Sequence, residues 1–278
     1  MFLALLNLAC AEAPSDAAAP VAPPSPKSPP IISLGETVAL MAEGGLTLER
    51  QRWSWGPKEG PPILSMVTYR ARAPLDARVV VRPSEAVAPF STLVPQDDPG
   101  PWVAINGGFY EEGAMGLVVS GGKELTPLSP RGGSGVFFWS PAGSQIVHRD
   151  DWRPGPPEAL QSVDRLVNAG ASVVRTIGGP QTARSAVVVG KTQLWFVICA
   201  AEETVAATGA GTHQLGAAEH AGPTLGVFAD YLLASTDAVT ALNLDGGIST
   251  QLAAALDGQR FVVTGQAGTI NTLVMRGP

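Results

Sequence analysis

Ala241-Leu242-Asn243-Leu244-Asp245-Gly246-Gly247-Ile248-Ser249-Thr250 is the stretch from which the rest of the chain is read. Its first four residues form the pattern of a short buried strand. The chain then changes abruptly to Asp-Gly-Gly and two hydroxyls. An apolar strand that ends on a carboxylate, with two glycines behind it, holds an acid at the rim of a sheet. The sheet fixes the carboxylate, and glycine lets a ligand come close to the backbone. Asp-Gly is equally a hairpin-turn signal. An earlier segment repeats the design: Trp102-Val103-Ala104-Ile105-Asn106-Gly107-Gly108-Phe109 is again an apolar strand, a polar side chain at its end and two glycines.

The chain has 278 residues, and 45% of them are hydrophobic, enough for a sizeable core. Charged residues make up 15%, the net charge is −6, and no Lys/Arg cluster occurs, which argues against a nucleic-acid binder. The 32 glycines and 25 prolines point to many turns and a strand-rich protein. The two cysteines are Cys10 and Cys199. Cys199 follows the apolar strand pattern Leu194-Trp195-Phe196-Val197-Ile198 and reads as a buried, inert thiol.

Residues 1–30 differ from the rest. Met1 to Ala9 are apolar apart from Asn7 and stop immediately before Cys10. This run is too short to span a bilayer and reads as the apolar part of a secretory signal. A small residue before a cysteine resembles a bacterial lipoprotein cleavage site, with Cys10 as the acylated residue; plain secretion is the alternative. The Pro/Ala-rich tract that follows reads as a disordered tether. Residues 31–278 form the expected folded domain. Its expected strands include 63–69, 78–81, 102–106, 115–120, 135–139, 184–189, 193–199, 241–245, 261–263 and 272–275. Two helices are expected. One covers 156–167, where Leu160, Val163, Leu166 and Val167 recur at helical spacing before Gly170; the other covers 224–235. The expected fold class is α+β: one domain with a largely antiparallel or mixed central sheet and a few packed helices.

Dinucleotide, Walker-type, HExxH and GxSxG signatures are missing from the sequence. His148, His213 and His220 lack metal-ligand spacing. Together, Asn106-Gly107-Gly108-Phe109 and Asn243-Leu244-Asp245-Gly246-Gly247 with Ser249-Thr250 resemble the phosphodiester glycosidase family. Arg184-Ser185-Ala186-Val187-Val188-Val189-Gly190 and the strand after it are similar to that family's arginine strand, and the resemblance spans about residues 102 to 275. Tyr110 stands where the family's second aromatic is Phe. Ile248 stands where a third glycine is common, and so bears on the substrate pocket. Asp164-Arg165 replace a Gly-Pro.

The resemblance implies a hydrolase that cleaves a sugar-1-phosphodiester of the N-acetylglucosamine type, in a cell-envelope or extracellular glycan. Asp245 is then the central carboxylate. Arg184 neutralises the phosphate or orients Asp245, since a guanidinium fork pairs well with phosphate. Asn106 bonds a sugar hydroxyl or a phosphate oxygen. Gly107, Gly108, Phe109, Gly246, Gly247, Ser249 and Thr250 line the substrate, with glycine N–H groups available to cradle an anion. No cofactor, metal or nucleic acid is expected, and membrane contact is expected only through a lipid anchor at Cys10. Glu111 and Glu112 read as solvated, or as a second carboxylate. The competing reading is a non-catalytic envelope protein that binds glycans through the same cleft, with Trp53, Trp55, Trp102, Trp139, Trp152 and Trp195 as stacking surface.

Overall fold

The computed structural model describes residues 29–98, 100–175, 178–216 and 221–277. The leader, most of the tether, Cys10 and His220 lie outside the described residues.

Three sheets, of eight, seven and five strands, replace the α+β plan with its single central sheet. Among the described residues the α-helices are a single turn, Phe90–Leu93, and Leu225–Ser235. The second matches the helix expected over 224–235. It begins where the Thr224 hydroxyl accepts from the Val227 N–H, which satisfies one of the N–H groups left over at a helix start.

The helix expected over 156–167 is instead two strands, Glu158–Ser162 and Arg165–Asn168, in different sheets. Asp164 between them has φ of 61°, a left-handed conformation that stops the first strand and redirects the chain. Leu160 buries in the core shared by the sheets, whereas Leu166 and Val167 bury with the Leu225–Ser235 helix. The apparent helical repeat is therefore two short strands read end to end.

The eight-stranded sheet runs, in order, Ile31–Glu43, Leu46–Gly56, Leu64–Pro74, Gln193–Ala201, Arg184–Gly190, Ala238–Asn243, Arg165–Asn168 and Ala171–Ser172. Its pairs are antiparallel. The seven-stranded sheet runs Val205–Gly209, Thr212–Leu215, Gln259–Thr264, Leu252–Leu256, Trp102–Asn106, Thr269–Arg276 and Arg78–Ala88. It has one parallel pair, Thr212–Leu215 with Gln259–Thr264. The five-stranded sheet has Glu158–Ser162 at its centre.

Alternation along each strand sorts side chains between faces. Val187, Leu242 and Leu244 of the eight-stranded sheet share a core with Ile105 and Leu273 of the seven-stranded sheet and Phe137 of the five-stranded sheet. Ala186 and Val188 face the other way and pack with Phe228 and Leu232 of the helix. Full burial of a side chain such as Phe228, at 0% exposure, stabilises by about 1.5–3 kcal/mol. The helix thus covers the outer face of the sheet.

Candidate functional site

The two Gly-Gly segments lie in opposed sheets and meet at their strand ends. The Asp245 N–H donates to the Gly107 carbonyl at 2.9 Å. The Asn106 Nδ2 donates to the Asp245 carbonyl at 2.7 Å. The other side of the Asn106 amide accepts from the Ser185 hydroxyl at 2.7 Å and from the Gln251 N–H at 3.0 Å. Asn106 is 0% exposed, so its link to the site runs through the Asp245 backbone. One amide therefore ties together its own strand, the strand of Ser185, the residue that leads into Leu252–Leu256 and the Asp-Gly-Gly turn.

The Asp245 side chain is half-buried at the rim. Its Oδ1 accepts from the Gly246 N–H at 2.8 Å, and the Ser249 hydroxyl bonds the carboxylate as well. Burial raises its pKa above 3.8, and these two bonds oppose the rise without cancelling it. No cation contributes to this balance.

The glycines supply close approach. A Cβ on Gly107 would run into the Asn271 side chain, and one on Gly246 would stand 2.8 Å from the Ala183 carbonyl oxygen. Their N–H groups are engaged within the protein. Gly107 and Gly108 donate to the Asn271 backbone and side-chain oxygens, both at 2.9 Å. Gly246 donates to Asp245, and Gly247 (φ of 61°) donates to the Ala183 carbonyl at 2.7 Å.

Arg184 begins the strand beside this turn, and its Cα would lie 3.9 Å from a Cβ on Gly246. Its guanidinium is anchored on carbonyls: Nε donates to Pro223 at 3.0 Å and Nη2 to Pro180. Nη1 makes no hydrogen bond among the described residues. Burial lowers the Arg184 pKa, while Cys199 and Asp164 oppose this. The structure therefore brings Asn106 and Asp245 into direct contact and sets the Arg184 backbone alongside, without a pair between the Arg184 and Asp245 side chains.

Phe109 is half-buried, Ser249 and Thr250 are buried, and Ile248 is 55% exposed beside them. The Thr250 hydroxyl has no partner among the described residues. Glu111 and Glu112 are exposed and line an open cleft with Met115 and Arg131. A second cleft of about 580 Å³ includes Glu85, Thr126 and Asn271 among its walls. Asp245 lines neither.

Four tryptophans, Trp53, Trp102, Trp152 and Trp195, are buried at 8% exposure or less and belong to the core. They provide no sugar-stacking surface; Trp55 and Trp139 are half-buried. Burial pushes the Cys199 thiol up to about 12, so it is inert at neutral pH. No cluster of three His, Cys, Asp or Glu capable of holding a metal occurs among the described residues.

Ser185, Gln251 and Asn271 were not identified from the sequence. Ser185 could have been found by alternation, because it follows Arg184 and must face the opposite side of the sheet. Asn271 lies 163 residues from the Gly108 N–H it accepts from, and no local pattern signals such a pairing.

The model of the phosphodiester glycosidase family matches residues 100–274 of this chain. Among solved structures, the catalytic domain of zebrafish N-acetylglucosamine-1-phosphodiester alpha-N-acetylglucosaminidase, auto-inhibited by its pro-peptide, is similar at 17% identity and a TM-score of 0.60. That match covers 87% of this chain and 88% of the zebrafish one. A hypothetical protein from Synechocystis is similar at 15% identity and a TM-score of 0.54, covering 87% of this chain and 64% of that one. A protein of Burkholderia pseudomallei described as exported is similar at 9% identity and a TM-score of 0.55, covering 87% and 96%. At these identities the three structures share the fold. No curated protein sequence matches the chain.

Proposed function

This chain belongs to the phosphodiester glycosidase family, and from that premise we propose that it hydrolyses a sugar-1-phosphodiester of the N-acetylglucosamine type in a cell-envelope or extracellular glycan. The bond from the anomeric carbon to the phosphoryl oxygen breaks. Water adds its hydroxyl to that carbon, and its second proton passes to the phosphate or to solvent. A phosphoester leaves readily as an anion, so one carboxylate is sufficient where most glycosidases use two. Asp245 is that carboxylate, Asn106 positions it, and the Nη1 of Arg184, which makes no hydrogen bond among the described residues, is directed to the phosphate. Export, with Cys10 as a lipid anchor, belongs to the same reading. The zebrafish enzyme's substrate and the exported Burkholderia protein support the choice of substrate and location.

The observation that carries the reading is the direct joining of the two Gly-Gly segments, which fixes a half-buried carboxylate at the meeting of two sheets. The test is a screen of sugar-1-phosphate diesters with wild type and Asp245→Asn. Loss of an acid–base or nucleophilic carboxylate lowers kcat by about 10²–10⁴-fold. A folded Asp245→Asn protein with full activity would sink the assignment.

A further inference from the structure

A cationic cleft lies away from Asp245, where the eight-stranded sheet meets the hairpin Val205–Gly209 and Thr212–Leu215. It has a volume of about 220 Å³, and its walls include Arg50, Arg52, Tyr69, Glu202 and His213. Arg50 pairs in register with Tyr69, Tyr69 with Ile198, and Ile198 with Ser185. Three strand spacings therefore separate Arg50 from the serine that bonds Asn106, roughly 14 Å. The two regions occupy one row of the same sheet.

The polar groups here differ in how they are partnered. Arg52 is paired with Glu202, the one acid in the cleft wall. Arg50 is half-buried and forms no ion pair among the described residues. Tyr69 is 4% exposed, and its hydroxyl has no hydrogen-bond partner among the described residues. Arg50 is the cross-strand neighbour of Tyr69, and both arginines share the cleft wall with it. Nδ1 of His213 is buried with no hydrogen-bond partner among the described residues. The Tyr69, His213 and Phe261 rings hold one another at centroid distances of 5.2–5.4 Å, so the donors are fixed by packing.

A partly buried cation with no counter-ion among the described residues favours an anionic partner, and a neighbouring hydroxyl can donate to the same anion. A tetrahedral oxyanion in the cleft gives Arg50 a counter-ion and the Tyr69 hydroxyl an acceptor. A guanidinium gives it paired, charge-assisted hydrogen bonds, and the phenol gives it one more. We propose that this cleft binds a phosphate group, either the free ion or a second phosphate on the glycan bound at Asp245. The glycan arm rests on the proposed function, and the free-ion arm does not.

The test is calorimetric titration of the purified chain with inorganic phosphate. Wild type binds saturably. Arg50→Ala weakens binding about tenfold, the loss expected for a charge-assisted contact. Tyr69→Phe keeps the ring packing and weakens binding several-fold, and Asp245→Asn leaves it unchanged. The proposal falls if wild type does not bind phosphate, if Arg50→Ala binds as wild type does, or if Asp245→Asn abolishes binding and so locates the ion at the other site. The source is read from KM for a substrate that carries more than one phosphate. A rise in Arg50→Ala assigns the cleft to the substrate, and an unchanged KM assigns it to the free ion.

Discussion

Asp245 is held by opposing influences: burial raises its pKa, while the Ser249 hydroxyl and the Gly246 N–H pull it down. If the ionised form does the work, kcat/KM falls on the acid side with a midpoint above the ordinary value of 3.8. Ser249→Ala removes one of the lowering bonds, so the midpoint moves further toward alkaline pH; a pH–rate profile of the pair measures it. A Ser249 role confined to packing would leave the midpoint in place. The placement of Asp245 at the end of its strand was legible in the sequence because Gly-Gly marks a rim. The role of Asn106 was not. From its sequence it reads as a ligand for substrate, whereas its amide is consumed by Asp245, Ser185 and Gln251, two of them more than 130 residues away.

About half of the strands could be read as elements, because branched and aromatic runs between Gly and Pro have little else to become, whereas more polar or small-residue strands such as Ile31–Glu43, Leu46–Gly56 and Leu252–Leu256 leave no such pattern. The segment 156–167, expected as a helix, failed for a physical reason. Two four- or five-residue strands, buried in different cores, leave a hydrophobic spacing that a helix would also leave. Arg165–Asn168 then turns into Ala171–Ser172 through Ala169 and Gly170, at φ of 50° and 73°. Alanine is poorly suited to a positive φ, and asparagine followed by glycine is the favoured pair in such a turn. Ala169→Asn therefore raises stability by about 0.5–1 kcal/mol, read from the denaturation midpoint with an unchanged m-value.

At the scale of the whole molecule, the three sheets had no signature in the sequence, since each draws strands from distant parts of the chain. Glu158 is one of the pins between them. From the centre of the five-stranded sheet its carboxylate accepts from the Val81 N–H at 2.8 Å and the Gly121 N–H at 3.1 Å. Glu158→Ala strands both donors and costs about 1–3 kcal/mol. Burial raises the Glu158 pKa, so the folded state holds its proton more tightly than the unfolded state. The associated stability is present below the unfolded value and is lost as pH rises through the folded one. Denaturation across pH should show that decline in wild type and not in the variant. The wiring of the seven-stranded sheet has a further consequence, for biosynthesis. The strand that ends on Asn106 sits between Leu252–Leu256 and Thr269–Arg276. On the ribosome it waits with both edges bare until more than 145 further residues have emerged. The candidate site is thus among the last parts of the protein able to form, and until then the nascent chain depends on staying unpaired.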